Sequence, residues 1–198
     1  MSAAETPSNP STRDKLIDAA FRVVARDGLE AASVKTIAAE AGVAPGLLHY
    51  HFPNKEAVLV AALRRGLDAY VARESERRAR LRPDEQVAAY FAAARGSVEA
   101  ERDFFKVRLA LAARALTSPE LAAVMAEVNA TAVAQTAMVF ASARGEAKPS
   151  ARDRALAATT KAAFDGVMLT WIADPSFPVE RAGEVLEGAA RAWNAAQG

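Results

Sequence analysis

The sequence predicts an all-α protein of about nine helices. Alanine is abundant, whereas Gly and Pro number only 10 and 9 among 198 residues, so residues that favour helices dominate. Apolar side chains recur at three- and four-residue intervals along most of the chain, and Ser, Asn, Pro or Gly separates these segments. Hydrophobic residues make up 52% and charged residues 25%, the balance of an ordinary globular protein.

The first helix is predicted from Thr12 to Asp27. Ser11 can accept a hydrogen bond from a first-turn amide, and Gly28 can end the helix because glycine adopts the left-handed conformation without steric cost. Its apolar positions form one inward stripe of Leu16, Ile17, Ala20, Phe21 and Val24.

Residues 33–52 predict two short helices joined by a tight turn, a helix-turn-helix. Ser33 can cap the first helix, Gly42 can end it, and Pro45 suits the first turn of the second, where its missing N–H is not needed. We expect the inward side chains to be Phe21, Ile37, Val43, Leu47, Leu48 and Phe52. The apolar spacing alone also fits a plain corner of two helices.

Residues 12–63 resemble the N-terminal DNA-binding domain of the TetR family of bacterial transcriptional regulators. The resemblance rests on the order of signals: an amphipathic helix ending in Gly, a Ser-capped helix, the turn Gly42-Val43, a helix ending in Tyr50-His51-Phe52, and Lys55-Glu56 opening a fourth helix. It implies that the second helix of the motif enters the major groove of a double-stranded DNA operator. Beyond this domain the resemblance is one of architecture.

Side-chain chemistry and the resemblance together assign DNA contacts to eight residues. Contacts to the phosphate backbone are expected from Lys35, Thr36, Tyr50 and Lys55. Contacts to bases are expected from Ala44, Pro45, Gly46 and His49. The family more often has Ser or Thr in place of Ala44 and Tyr in place of His49, so the operator sequence stays open.

A fourth helix is predicted from the cap residue Asn54 to about Leu81. Residues 55–82 carry Lys55 and seven Arg against four acidic residues, so the positive charge of the chain is concentrated there. Lys55 and the free N–H groups of the first turn form a site suited to a DNA phosphate. We expect this helix to connect the DNA-reading domain to the rest of the chain.

Five further helices are expected at about residues 84–97, 100–116, 119–144, 151–173 and 179–195. The sixth helix is apolar nearly all round, so we expect it in the middle of this region. The predicted organisation is a disordered tail at 1–11, a helix-turn-helix domain at 12–55, and a helical domain for effector binding and dimerisation at 56–198.

The resemblance implies that a small-molecule effector binds among helices five to eight and releases the protein from DNA. The candidate lining residues are Phe104, Phe105, Arg108, Ala112, Met125, Asn129, Phe164, Met168 and Trp171. Apolar residues at such spacing more often belong to an ordinary core than to a pocket, whereas Arg108 and Asn129 could orient a polar end of a ligand. The abundance of Ala and Met indicates an apolar or amphipathic effector. Residues 164–186 are weakly similar to the betaine- and choline-responsive repressors of the family, too weakly to choose a ligand.

In the TetR family the last two helices pair with their symmetry mates, so the resemblance implies a homodimer. The expected interface residues are Leu156, Thr160, Phe164, Val167, Val179, Ala182, Leu186, Ala189 and Trp193. The alternative is an internal hairpin of the two helices. A dimer would hold two reading domains one DNA turn apart, ~34–36 Å, which matches a pseudo-palindromic operator.

The sequence offers little for catalysis, metal binding or a cofactor. Cys is absent, and His49 and His51 are the only histidines and point in different directions on a helix, so we expect no metal site and no nucleophile system. No glycine-rich loop for phosphates is present. The lack of Cys fits the reducing cytoplasm, and no signal peptide or membrane span is expected.

Three hypotheses follow from these patterns. The preferred one is a dimeric repressor that is released from its operator by an effector. The second is a regulator that activates transcription or senses without an effector of its own. The third is a helical enzyme or lipid carrier in which the helix-turn-helix serves only for packing.

Overall fold

The computed structural model describes residues 10–96 and 98–196. Within them the chain forms nine α-helices and one short 3-10 turn, and no strand. Most of the tail expected at 1–11, and Ser97 at the predicted end of helix five, lie outside the described residues. The fold divides into two compact units, Met1–Leu63 and Arg64–Gly198.

The first unit contains α1, α2, α3 and the start of α4. Their bounds are Thr12–Asp27, Val34–Glu40, Pro45–His51 and Lys55–Ala79. The side chain of Ser11 accepts a hydrogen bond from Asp14 N at 3.1 Å, and Gly28 ends α1 with a φ of 85°. Both termini of α1 therefore follow from the cap residues that the sequence places there.

Ile37, Leu48 and Phe52 are buried in the first unit, as expected, whereas Phe21 and Val43 are half-buried. The prediction that Leu47 faces inward is wrong, since it is 40% exposed. A residue one position along a helix points about 100° away, and in α3 the inward direction belongs to Leu48. The seven-residue helix thus contributes a single fully buried leucine to the core.

The second unit contains the rest of α4, a 3-10 turn and five helices. The 3-10 turn spans Pro83–Glu85, and α5 to α9 span Gln86–Gly96, Val98–Ala115, Pro119–Ala143, Ala151–Ala173 and Val179–Ala195. The all-α fold class and the order of helices predicted from the sequence are confirmed.

Helix α7, rather than α6, lies in the middle of the second unit. It packs against α5, α6, α8 and the 3-10 turn, and it buries Leu121, Val128, Val139 and Phe140. The expectation for α6 fails because Asp103 and Arg114 lie on an exposed side of that helix. The apolar side of α6 packs against α7 and α8.

The sequence contains no uninterrupted apolar run of the length of a membrane span, but α7 is apolar along most of its length. Among the described residues this helix alone has the length and composition to cross a bilayer, with a mean hydropathy of 1.2 over 18 residues. The central helix of a globular fold passes the same test because neighbouring helices surround it. The packing of α7 against α5, α6 and α8 accounts for its apolar character in this way.

Arg144 joins the ends of α7, α8 and α9. Its guanidinium donates to Asp153 Oδ2 at 2.8 Å, to Asn194 Oδ1 at 2.6 Å and to the Phe140 carbonyl at 3.2 Å. Asp153 in turn accepts from Ser150 N at 2.7 Å, which completes a capping box at the start of α8.

Candidate functional site

The helix-turn-helix is built from α2, the turn after it, and α3. Ser33 Oγ accepts a hydrogen bond from Thr36 N at 3.0 Å and so caps α2. Gly42 has a φ of 67°, a conformation that glycine adopts at no steric cost, and Val43 N donates to the Ala38 carbonyl at 3.0 Å. This tight turn lets α3 begin at Pro45.

Each of the eight predicted DNA-contacting residues is at least partly accessible. Lys35, Ala44, Pro45, Gly46, His49 and Tyr50 are exposed, while Thr36 and Lys55 are half-buried. Tyr50 is the most prominent, with 81% of its surface exposed. The Thr36 hydroxyl lies 2.7 Å from Ser33 Oγ, so it already has a partner within the cap of α2.

Two arginines of α1 hold the end of α2. Arg22 Nε donates to Glu40 Oε1 at 2.8 Å, and Arg26 Nη1 donates to Glu40 Oε2 at 3.1 Å. These hydrogen bonds hold the pKa of Glu40 below its usual value. The sequence analysis missed this clamp, although the four-residue spacing of Arg22 and Arg26 places both on one face of α1.

The start of α4 is the place where the sequence predicts an anion site at Lys55. Asn54 Oδ1 accepts a hydrogen bond from Ala57 N at 2.8 Å, which caps the helix as predicted. Helix dipoles favour negative charge at such an end. Lys55 is the first residue of the helix and lies half-buried there.

A cavity of about 340 Å³ lies within the second unit. Helix α4 supplies Leu67, Tyr70, Arg73, Glu74 and Arg77 to its wall. The other helices supply Tyr90, Ala93 and Ala94 from α5, Phe104, Phe105 and Arg108 from α6, Val128, Ala132 and Thr136 from α7, and Lys161, Phe164 and Asp165 from α8. Its wall thus combines five aromatic rings with charged groups of both signs.

The structure brings four of the nine predicted effector-binding residues to this cavity, namely Phe104, Phe105, Arg108 and Phe164. The five that do not line it are Ala112, Met125, Asn129, Met168 and Trp171. Met168 and Trp171 pack instead in a core cluster with Phe105 and Val179. Asn129 follows the lining residue Val128 and is therefore turned about 100° away, onto the exposed side of α7.

Arg108, Lys161 and Asp165 form an ionic cluster in the cavity wall. Arg108 is 7% exposed and donates through both terminal nitrogens to Asp165, with Nη1 at 3.0 Å from Oδ2. Lys161 Nζ donates to the same Oδ2 at 2.6 Å. Burial and the positive charge of Arg108 lower the pKa of Lys161, against the opposing effect of Asp165.

Hydroxyl groups form a second polar region. The Thr136 hydroxyl donates to the Ala132 carbonyl at 3.0 Å and lies 3.1 Å from the Tyr90 hydroxyl. Burial raises the pKa of Tyr70 and of Tyr90, so both phenols are neutral at physiological pH. They can therefore each donate or accept a hydrogen bond.

Lys161, Asp165, Tyr70 and Tyr90 were missed as cavity residues by the sequence analysis. A signal was available for the first two, because they are charged residues four positions apart on a helix that is otherwise rich in Ala and Thr. The tyrosines gave no such signal, since an aromatic residue at helical spacing is typical of an ordinary core.

The predicted dimer residues of α8 and α9 differ in how far they are exposed to solvent. Thr160 and Val179 are buried within the chain, Ala189 and Trp193 are exposed, and the rest are half-buried, namely Leu156, Phe164, Val167, Ala182 and Leu186. After Arg154, the exposed side of α8 is an uncharged stripe of Ala155, Ala158, Thr159, Ala162, Ala163, Gly166, Leu169 and Thr170. Helix α9 exposes a similar stripe of Val185, Gly188, Ala189, Ala192 and Trp193. We call these two rows the α8–α9 stripe.

A group of three or more His, Cys, Asp or Glu that could hold a metal ion does not occur among the described residues. The polar groups of the cavity are ion pairs and hydroxyls. The site is therefore suited to binding an organic molecule through charge, hydrogen bonds and apolar contact.

These features fit a class of protein, the DNA-binding regulators in which a helix-turn-helix with an exposed second helix is followed by a helical unit with an internal cavity. Residues 16–62 match the family description "Bacterial regulatory proteins, tetR family". Residues 83–192 match "BetI-type transcriptional repressor, C-terminal". The chain therefore belongs to the TetR family, whose members are transcriptional regulators and not enzymes.

Solved structures of other transcriptional regulators resemble this chain along most of its length. A transcriptional regulator from Rhodococcus sp. Rha1 has 32% sequence identity and a TM-score of 0.75, over 91% of this chain and 94% of that one. A putative regulator from Saccharomonospora viridis, solved in complex with choline, has 22% identity and a TM-score of 0.71, over 89% and 93% of the two chains. At that identity the likeness concerns the fold.

Among curated relatives, the nicotine-responsive transcriptional repressor HdnoR of Paenarthrobacter nicotinovorans is 47% identical over 55 residues, which are 28% of each chain. The first curated relatives are matched over a third of their own length or less. This similarity is short, and it has the length of a single helix-turn-helix domain.

Proposed function

We propose that this protein is a cytoplasmic, homodimeric repressor that binds a pseudo-palindromic operator and is released from it by a small molecule in the cavity. One observation carries the proposal: α4 is an uninterrupted helix from Lys55 to Ala79. Its first residue is a candidate phosphate contact, and five residues of its second half line the cavity. A single helix thus contributes residues to both candidate sites.

The DNA-binding part of the proposal rests on α3 and its neighbours. Pro45, Gly46, His49 and Tyr50 are exposed on one short helix, which is the arrangement of a recognition helix. His49 can donate or accept a hydrogen bond at a base edge, and Ala44 and Pro45 offer apolar contact to a thymine methyl group. Lys35, Thr36, Tyr50 and Lys55 would set the position on the phosphate backbone.

Release by an effector requires that the ligand favour one arrangement of α4 over another. A ligand changes DNA affinity only to the extent that it binds those two arrangements differently, typically by ~1–3 kcal/mol. The cavity meets the structural requirement because Leu67, Tyr70 and Arg77 of α4 would touch the ligand directly.

The homodimer is supported by the α8–α9 stripe. From Ala155 onward, the exposed positions of α8 recur at three- and four-residue spacing and carry only Ala, Gly, Thr and Leu, while α9 adds Val185 and Trp193, the latter 55% exposed. Such a long uncharged surface is typical of an interface rather than of a solvated helix face. A second copy of the same chain is the expected occupant, because the TetR family assembles in this way and small residues allow two helices to approach closely.

The names of related proteins support a response to small molecules without selecting one. One relative is described as nicotine-responsive, and one structural neighbour was solved with choline. The cavity volume of about 340 Å³ falls in the range of ~300–1,000 Å³ of small-molecule sites.

The test is binding of the purified protein to fluorescent duplexes from the intergenic region upstream of its own gene. A random duplex serves as competitor, and each titration is made at two salt concentrations. The expected result is specific binding that weakens with salt, as phosphate contacts require. No duplex binding even at low salt would contradict the proposal. Deletion of the gene should then raise transcription of the neighbouring genes, whereas a fall would identify an activator.

A further inference from the structure

We infer that the ligand of the cavity is an organic anion, a free carboxylate on an apolar body of phenyl size or larger, rather than a quaternary ammonium or a neutral compound. The inference rests on the proposed function only for the role of the cavity. It is tested by direct binding, so its failure can be told apart from a failure to bind DNA.

The charge of the cavity wall is the first argument. Three cationic side chains that line it, Arg77, Arg108 and Lys161, stand against two carboxylates, Glu74 and Asp165. Tyrosine adds no charge at neutral pH. These groups carry an excess of one positive charge, and an anionic ligand would neutralise this excess where a cationic ligand would increase it.

Both carboxylates are already engaged by cations. Glu74 is buried and ion-paired with Arg77, and Asp165 accepts from both Arg108 and Lys161. A cationic ligand would have to compete with these partners for the same two carboxylates, and the neighbouring protein cations would repel it.

Two of the five aromatic rings in the wall already have a protein cation over one face. The guanidinium of Arg77 lies over the ring of Tyr90, 5.7 Å from its centroid, and that of Arg108 lies over Phe105 at 5.2 Å. A quaternary ammonium binds best against such ring faces. A second positive charge would therefore compete with these protein cations at the rings of Tyr90 and Phe105.

Lys161 is the group best placed to hold a carboxylate. Its ammonium has three donors, of which the hydrogen bond to Asp165 uses one. Two cations, Lys161 and Arg108, share the single Asp165 carboxylate, so this cluster retains one positive charge. A ligand carboxylate bound at Lys161 would neutralise the positive charge that Asp165 leaves uncompensated in this cluster.

The remaining wall fits an apolar body. Leu67, Ala94, Phe104, Val128 and Phe164 contribute side chains that offer no hydrogen bond. The hydroxyls of Tyr70 and Tyr90 could bind one further polar atom of the ligand. Together these groups define an amphipathic acid with its charge at one end.

The experiment is isothermal titration calorimetry of the full-length protein with five probes. Two are carboxylates, 3-phenylpropanoate and octanoate, and one is the neutral 3-phenylpropanamide. Two are cations, benzyltrimethylammonium and choline. We expect at least one carboxylate to bind the protein and the amide to bind the protein at least about tenfold more weakly. The two cations should show no binding. An affinity of a cation or of the amide equal to that of the acid would overturn the inference. The absence of binding by both acids at millimolar concentration would also overturn it.

Substitutions of Lys161 test whether this residue binds the carboxylate of the ligand. Lys161→Gln should weaken carboxylate binding at least about tenfold, while Lys161→Arg, which keeps the charge, should retain most of it. Lys106→Gln removes a lysine of α6 that does not line the cavity and should leave the affinity unchanged. Thermal melts establish that each variant is folded. Equal affinities of Lys161→Gln and Lys106→Gln for the acids would reject the assignment, and specific duplex binding by the same samples would show that the regulator itself is intact.

Discussion

Phe104 of α6 lies directly over Gly66 of α4. A Cβ atom added to Gly66 would stand 2.5 Å from Phe104 Cε2 and 2.9 Å from Phe104 Cδ2, closer than carbon atoms can approach. The ring of Phe104 also lines the cavity. Because Gly66 belongs to the helix that begins at Lys55, this contact links the cavity wall to the element that we propose to carry the signal.

Gly66→Ala should weaken effector binding without unfolding the protein. The added methyl group displaces the Phe104 ring toward the cavity, while the gain in helix propensity, up to about 1 kcal/mol, offsets the cost of the displacement. Calorimetry with the carboxylate probe, together with a thermal melt, separates the two effects. Gly96→Ala is the matched control, since a Cβ there meets nothing within 4 Å. Unchanged carboxylate affinity in Gly66→Ala would show that the ring moves elsewhere.

Lys55→Ala should weaken binding to all duplexes alike and lower the slope of log affinity against log salt by about 0.9, the contribution of one phosphate contact. The reason is that Lys55 stands at the capped start of α4, where an anion is favoured. Fluorescence anisotropy at several salt concentrations measures the slope. Lys148→Ala, which removes an exposed lysine of the second unit, should leave it unchanged. If the Lys55 variant had the wild-type slope, Lys55 would not contact a DNA phosphate.

Ala162→Glu should dissociate the proposed dimer. Its side chain lies in the middle of the α8–α9 stripe, and a second copy would bring two carboxylates into an uncharged contact. Light scattering after size exclusion should then report the mass of one chain, 20.9 kDa, instead of twice that value. Ala126→Glu places the same group on the exposed side of α7 and should not change the mass. If wild type and both variants had equal masses, the α8–α9 stripe would not form the dimer contact.

Asp153→Ala should destabilise the second unit by about 2–4 kcal/mol, since it removes a helix cap and leaves the Arg144 guanidinium without its buried carboxylate partner. Asp153 is 2% exposed, whereas its neighbour Arg152 is exposed, so Arg152→Ala should change the free energy of unfolding by less than about 0.5 kcal/mol. Urea unfolding at neutral pH measures both. A loss below about 1 kcal/mol in the Asp153 variant would contradict the role of this cluster.

The stability that Asp153 contributes should also depend on pH. Burial raises its pKa, but hydrogen bonds from Ser150 and Arg144 outweigh burial and hold the pKa below the usual value. A carboxyl group whose pKa is lowered by folding stabilises the protein above its unfolded pKa, ~3.9, and loses that contribution as the pH falls through the folded value. The difference between wild type and Asp153→Asn should therefore shrink below about pH 4. A difference that stays constant into acid would mean that the charge of Asp153 is not what stabilises the fold.

The helices and their ends followed closely from the sequence. Bounds predicted for α1, α8 and α9 coincide with those observed, because Ser11, Gly28 and Ser150 act locally, through hydrogen bonds within one turn or through a backbone conformation. The TetR resemblance was equally visible, since the helix-turn-helix depends on small residues at fixed positions. Leu47 was misplaced because a seven-residue helix is too short for its apolar period to define one face.

The sequence by itself determined the fold class, the order of the helices and the family, all of which depend on residues close together in the chain. Tertiary structure decided which side of each long helix faces the cavity. Lys161 and Asp165 are one helical turn apart, but their partner Arg108 is more than fifty positions away on α6, and no local pattern brings the three together. The charge of the cavity, and with it the kind of ligand that we infer, exists only once α4, α6 and α8 are packed against one another.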